Sequence, residues 1–576
     1  VSKAAAWFLR TVVKDIFSYS NSNGADFVIM ITVQKKYLFQ GLIVSILCLA
    51  AFLRLYKLGE NPAILNRDEA ALAYNALLLQ DTGRDEWNRV WPVGLESFGD
   101  YKLIGYPTIL VGLFHFTAPS DFVVRLPAAV AGVVSILLLA LIARAVVSDR
   151  KRTFIIGLIF AFSAPFLLFY SRIAFEANVA FMLLQFSLLT LLGSPQKGSS
   201  LMRWILLGAS MIVACFTYNT PYILLPFLVV WIPFLMGVKN VKTWITPVLL
   251  LACIGTAFYF LLQPITNHKS GITIFSDPSV ASEYPQYRAQ FKGISQTLIG
   301  NKYTFFARII GNNLVESFSY SFLVSRGGTH PWHQIPGSSH LTSSLYLLGL
   351  LGIFTTLYRF MYGLIKKPQS ILQAWQTSEF GKSATLVYLT AISLAPASVT
   401  VDAPHATRSL LFLSIFIVYA VIGTSLLLDM LPRFFAKKQQ QGAQIILAGI
   451  MVCLVVTSFG NYVTKYWSRY VSEQPALLQS NLQTVITDID EKYPHKPVNF
   501  IDKTGYSYIT VAWYEKLPAT DFFTTIERKA KDPIGFSAGK RVGKYRFYRT
   551  KEEAVEDSQV IVEWSDTYQD WQVSGL

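Results

Sequence analysis

Residues Leu38 to Tyr56 read LFQGLIVSILCLAAFLRLY, and ten residues later Asn66 to Ala76 read NRDEAALAYNA. The first stretch is apolar and long enough to cross ~30 Å of hydrocarbon as a helix. The second places two adjacent carboxylates, Asp68 and Glu69, at the head of an apolar helical pattern. Apolar runs of similar length recur along the 576 residues, of which 52% are hydrophobic and 15% charged. Soluble domains carry about 25% charged residues. The composition therefore predicts a mainly α-helical polytopic membrane protein.

Eleven spans are read, at 38–56, 127–147, 153–170, 177–193, 203–219, 221–237, 244–262, 342–360, 384–400, 409–430 and 442–460. Alternate loops carry the basic residues: Lys35-Lys36, Arg150-Lys151-Arg152, Lys197 with Arg203, Lys239 with Lys242, Lys366-Lys367, and Arg433 with Lys437-Lys438. Positive loops mark the cytoplasmic side. The N-terminal segment 1–36, read without a cleavable signal, then lies in the cytoplasm of a plasma-membrane protein. Loops 57–126, 171–176, 263–341 and 401–408 and the tail from 461 lie outside. This alternation requires that LIGYPTILVGLFHFT, residues 103–117, does not cross; it is short and holds Gly105 and Pro107.

The net charge of +15 suggests nucleic acid until its distribution is read. Residues 461–576 hold 15 Lys/Arg and 16 Asp/Glu, so the excess lies among the spans, where it sets topology. No nucleic-acid partner is expected; the lipid bilayer is. Cys48, Cys215, Cys253 and Cys453 all fall in apolar runs without metal-ligand spacing, so neither a disulfide framework nor a cysteine metal site is indicated. The tail, 461–576, reads as a small extracytoplasmic α/β domain large enough to fold alone. It has an amphipathic helix over 474–492, strands at VNFID and YRFYRT, and a helix at YSYITVAWYEKL.

The acids of the membrane region gather on the outer face: Glu60, Asp68, Glu69, Asp81, Asp85, Glu86, Glu96, Asp100, Glu176, Glu283, Glu316 and Asp402. No ATP or nucleotide sugar is found there, so an enzyme on that face needs a substrate already activated and carried in the membrane. Helix neighbours point about 100° apart, so Asp68 and Glu69 cannot both face one pocket squarely. Either can also serve only the helix dipole.

RLYKLGENPAILNRDEAALAYNA, residues 54–76, resembles the first outer loop of the fold-class-C glycosyltransferases that use polyprenyl-phosphate sugars. This is the superfamily of the protein O-mannosyltransferases and the lipid A aminoarabinose transferases, in its bacterial branch. Asp68 matches the family's catalytic aspartate. DYKLIGYPTIL places Tyr101 and Lys102 where the family holds a Lys near the donor phosphate, although Leu103 stands where a Pro usually follows. FVVRLPAAVAGVVSILLLALIAR matches the start of span two, and YSRIAFEANVAFMLL places Glu176 at the second acidic motif, where Asp is commoner. The segments 319–352 and 396–413 resemble the Gly/His/Arg-rich loop and the Pro-His-x-x-Arg element, with Arg326, His330, His405 and Arg408.

The resemblance implies transfer of a hexose or pentose from a polyprenyl-phosphate donor to an extracytoplasmic protein, lipid or glycan, inverting the anomeric centre. Asp68 is the expected base, with Glu69 and Glu176 as further catalytic carboxylates. Tyr101, Lys102, Arg172, Arg326, His330, His405 and Arg408 are the expected substrate-binding set. Arg172 and Arg408 at span ends can instead snorkel to head groups. His330 and His333 form a loose pair that is more often not a metal site. No soluble cofactor is expected, a divalent cation being the one addition the acids allow. Trp332 either stacks on a sugar or anchors its loop. The alternative from another class is a transporter or flippase for lipid-linked saccharides, which needs polar groups at mid-span; a third is a receptor whose tail binds a ligand.

Overall fold

The computed structural model describes residues 25–147, 150–192, 201–236, 252, 255–256, 259–260, 263, 271–366, 379–479, 481–532, 535–554 and 560–574. Spans were expected at Leu38–Tyr56 and nine further places among these residues. Five helices there are long and apolar enough to cross a bilayer: Tyr37–Leu55, Asp121–Val146, Ser343–Lys366, Thr407–Phe434 and Gln440–Ser468. Shorter apolar helices follow at Glu176–Leu192, Met202–Thr217 and Asn219–Trp231. The chain is a multi-pass membrane protein, mainly helical, with a C-terminal sheet unit. The expected span 244–262 lies outside the described residues except for a few positions.

One expected span differs in detail. The run 153–170 is not one helix. It breaks at Ala164, which is extended (φ −84°, ψ 116°), and restarts at Pro165 as Pro165–Phe169. Proline lacks an amide hydrogen and restricts the residue before it. The break frees the amide of Phe166 to donate to the carbonyl of His340, tying this span to an outer loop. The segment 103–117 forms the ten-residue helix Gly105–Phe114, too short to cross.

The central element is Leu410–Met430, buried along nearly all its length. It meets Ser343–Lys366 through glycines: a Cβ on Gly352 would stand 1.8 Å from the Tyr419 carbonyl, and one on Gly423 would stand 2.1 Å from that of Leu348. Small residues let membrane helices approach closely enough for dispersion to hold them.

Beyond the spans, β1 (Gly94–Ser97) and β2 (Asp100–Leu103) make an antiparallel hairpin that the loop reading of 57–126 did not contain. Its turn is Phe98-Gly99, both at positive φ. Gly99 has no room for a Cβ, which would lie 2.2 Å from the Gly535 carbonyl. The tail forms a six-stranded sheet from β3 (Val498–Ile501), β4 (Glu527–Arg528), β5 (Gly539–Val542), β6 (Tyr545–Tyr548), β7 (Val560–Ser565) and β8 (Asp570–Ser574), in the order β4-β5-β6-β3-β7-β8. β3 runs parallel to both β6 and β7. The expected tail helices appear as Leu482–Lys492, preceded by a turn at Pro475–Leu478, and as Ser507–Tyr514.

The sheet unit shares its core with the first loop. Leu72, Leu79, Phe98 and Tyr106 pack in the same buried cluster as Tyr508, Val511 and Phe522. Tyr508 Oη accepts from the Phe98 amide at 3.0 Å, and the Ser537 amide donates to the Phe98 carbonyl at 3.0 Å.

Candidate active site

The helix Arg67–Thr82 begins in a capping box. The Asn66 side chain accepts from the amides of Asp68 (2.9 Å) and Glu69 (3.0 Å), and Glu69 Oε2 accepts from the Asn66 amide. Such a box satisfies the free amides of a first turn. It also fixes the direction in which each carboxylate leaves the helix.

The two acids part company here. Glu69 is 1% exposed and points inward. Its oxygens accept from Arg125 Nε (2.9 Å), Arg125 Nη2 (3.1 Å) and the Ala174 amide (2.7 Å). Arg125 also donates to the carbonyls of Leu58, Pro62 and Ile64. Asp68 points the other way, its side chain 30% exposed, into a cavity of about 220 Å³.

That cavity is lined by Asp68, Lys102, Glu176, His333, His405 and Arg408, with Tyr218, Asn219 and Thr220 beside them. Lys102 Nζ lies 3.0 Å from Asp68 and 2.5 Å from Asp100, whose importance the sequence did not show. Burial pushes the Asp68 carboxyl up, but the positive charges of Lys102 and Arg67 outweigh it and hold the group below the ordinary value. Burial lowers Lys102 while Asp100, Asp68 and Glu176 raise it further, so the ammonium stays charged.

A second cluster closes the same cavity. Asp402 Oδ2 lies 3.1 Å from His330 Nε2 and 3.5 Å from His405 Nε2, and its other oxygen accepts from Arg408. Burial and the neighbouring Arg408 hold His405 well below the ordinary imidazole value, which favours the neutral ring. His333 is likewise lowered, to about 3, by burial first and by its histidine neighbours.

His330, Asp402 and His405 offer ligand atoms all within 4.8 Å of one another. Two imidazoles and one carboxylate are a zinc-type donor set, and the two His–Asp separations suit the edges of a tetrahedron with bonds of about 2.0–2.2 Å. The Arg408 contact occupies only the outer oxygen of Asp402. The residues present therefore fit a metal ion, through Asp402 and His405 instead of the His330–His333 pair.

The remaining expected residues stand elsewhere. Arg172 is fully buried and donates to the carbonyls of Leu53, Arg54, Tyr56, Lys57 and Asn61. It stacks 4.5 Å from the Trp467 ring and does not line the cavity. It holds the exit of the first span, as Arg125 holds the loop after it. Tyr101 donates to Glu96 at 2.8 Å, outside the cavity. Arg326 is exposed on its loop and also lies outside.

No family model matches the chain, and no curated protein matches it. Among solved structures, it is similar to ArnT from Cupriavidus metallidurans bound to undecaprenyl phosphate. The identity is 13%, with 83% of this chain and 85% of that chain covered and a TM-score of 0.45. It is also similar to the archaeal oligosaccharyltransferase AglB from Archaeoglobus fulgidus in complex with an inhibitory peptide and a dolichol-phosphate. There the identity is 12%, with 90% and 75% covered and a TM-score of 0.47. An Archaeoglobus fulgidus oligosaccharyltransferase complex with Zn and sulfate matches at 13% identity, with 81% and 61% covered and a TM-score of 0.45.

Proposed function

We propose that the chain is a membrane glycosyltransferase that moves one sugar from a polyprenyl-phosphate donor to an acceptor on the extracytoplasmic face. The observation that carries this reading is the Asp68–Lys102 pair at 3.0 Å in a cavity at the ends of the spans. Asp68, ionised at neutral pH, takes the proton from the acceptor hydroxyl or amine as the acceptor oxygen or nitrogen attacks the anomeric carbon. The bond from that carbon to the phosphate oxygen breaks, and the lipid phosphate leaves with the electron pair. A single displacement inverts the anomeric centre.

Lys102 and Arg408 face the leaving phosphate as fixed cations. Each is already paired, Lys102 with Asp68 and Asp100 and Arg408 with Asp402. A phosphate entering a site where three carboxylates already face two cations calls for more positive charge. His330, Asp402 and His405 would hold a divalent ion, which when bound supplies Lewis-acid stabilisation of the phosphate oxygens. Glu176, at the start of its helix, lies where it can accept from sugar hydroxyls.

The transporter alternative finds no support. Among the described residues the buried charges, from Arg54 and Glu69 to Arg172 and Glu176, sit at or beyond span ends. Asp68→Asn keeps the helix start and its capping box but removes the base. We expect transfer from a polyprenyl-phosphate sugar, followed by radiolabel release into an acceptor extract, to fall by roughly 10²–10⁴. Full activity in this variant sinks the assignment.

A further inference from the structure

A second cleft, of about 80 Å³, lies across the wall that carries Asp68. Neighbouring residues face opposite sides of that wall. Asp68 and His333 line the larger cavity, whereas Arg67 and Trp332 line this one. The far side of the cleft comes from the sheet unit, through Tyr506, Ser507 and Thr504.

Two features of the cleft point to a ligand. The Arg67 guanidinium sits 4.8 Å from the Tyr506 ring, 5.5 Å from Phe98 and 5.9 Å from Trp332. Among the described residues no carboxylate makes an ion pair with it; Glu69, which also lines the cleft, is paired with Arg125, and the charge of Arg67 acts on the neighbouring Asp68. The second feature is Ser507, 3% exposed, whose hydroxyl has no hydrogen-bond partner. Leaving a buried hydroxyl unpaired is costly. A charged, planar donor held over aromatic faces is suited to a carboxylate or similar anion bound in bidentate fashion. Aromatic rings present apolar faces that pack on the C–H face of a sugar ring, and the hydroxyl of Ser507 is placed to bond one of its oxygens.

We propose that this cleft is the acceptor subsite and that it receives a saccharide carrying an acidic group, such as a uronic acid. The proposal rests on the glycosyltransferase reading and deepens it: the cleft holds the acidic sugar of the acceptor away from its reacting end, while Asp68 faces the larger cavity. It also gives the sheet unit a task, since the unit supplies one side of the cleft.

The test uses the full chain in lipid nanodiscs and saturation-transfer NMR with methyl glucuronide and methyl glucoside as probes. We expect the glucuronide to bind at least about tenfold more tightly than the glucoside. Arg67→Gln should erase that preference. Ser507→Ala should weaken both probes several-fold without lowering Tm, because it breaks no hydrogen bond in the free protein. Asp68→Asn removes transfer but should keep the preference for the glucuronide, since it takes away a negative charge beside Arg67 and no contact in the cleft, so loss of transfer and loss of the subsite read separately. Absence of glucuronide binding, equal binding of the two probes, an Arg67→Gln variant that keeps the preference, or tighter binding of an acidic peptide than of either saccharide overturns the proposal.

Discussion

At the residue scale, Asp68 and Glu69 are adjacent in sequence and meet different surroundings. Both occupy the first turn of one helix, yet only Asp68 reaches the cavity, while Glu69 is fixed by Arg125 and two backbone amides. Glu69→Gln leaves the Arg125 guanidinium buried without its counter-charge, a change that costs about 3–5 kcal/mol in comparable pairs. We expect a drop in Tm of the purified protein, with donor binding retained in the fraction that stays folded. Asp68→Asn should do the opposite, leaving Tm nearly unchanged. Adjacent sequence positions thus give separable phenotypes, measured by differential scanning fluorimetry beside the transfer assay. The cluster of His330, Asp402 and His405 gives a third residue-level prediction. Elemental analysis of the chain purified without chelator should find about one zinc-type ion per molecule, and His405→Ala should lose it. Asp68 and Lys102, which the structure brings together, were legible in the sequence as candidates because a loop motif surrounds them. Asp402 was visible only as one more acid: His405 and Arg408 stand near it in sequence, but His330 lies 72 residues away on a separate loop. Arg172 and Glu69 stand in buried pairs away from that cavity, a placement the sequence does not show because buried and cavity-lining charges use the same residue types.

At the element scale, the spans were largely legible because hydrocarbon demands long apolar helices and offers backbone groups no other partner. What hydropathy did not show was how the helices meet. Ser343–Lys366 and Leu410–Met430 pack through Gly349, Gly352 and Gly423. Gly352→Val places side-chain atoms where the Tyr419 carbonyl already lies. Overpacking costs about 1–3 kcal/mol or more where backbone must move. We expect lower yield of folded protein and a lower Tm, read by size-exclusion fluorescence. Gly449, with open space at its Cβ position, should tolerate the same substitution. The hairpin β1–β2 escaped the sequence reading for a different reason. Each strand has four residues, and the alternation is too short to stand out from a loop. Its tip is held in place by the sheet unit, a partner more than 400 residues distant.

At the scale of the whole molecule, the first loop and the tail share one packed core, and Glu86 is at their junction. Its side chain is buried; Tyr508 Oη donates to it at 3.0 Å and Arg528 lies 3.8 Å away. Burial raises its carboxyl to about 7, more than Arg528 and Tyr508 lower it. The docked state therefore binds this proton more tightly than the separated state, in which the group returns to the ordinary carboxylate range. Docking is strongest below the ordinary value and weakens as pH rises to about 7, beyond which the loss is complete. The shift corresponds to roughly 3 kcal/mol between those limits. Hydrogen exchange of the Ser507–Tyr514 amides, corrected for intrinsic rate, should show protection falling across that window. Glu86→Gln should flatten the profile, since a neutral amide has no proton to lose. Because Phe98 at the hairpin tip bonds Tyr508, and β2 of the same hairpin carries Lys102, weakened docking should also loosen the lysine beside Asp68. Donor affinity should fall over the same pH range in the natural chain and stay level in Glu86→Gln; a donor affinity that falls equally in both would place the titrating group elsewhere.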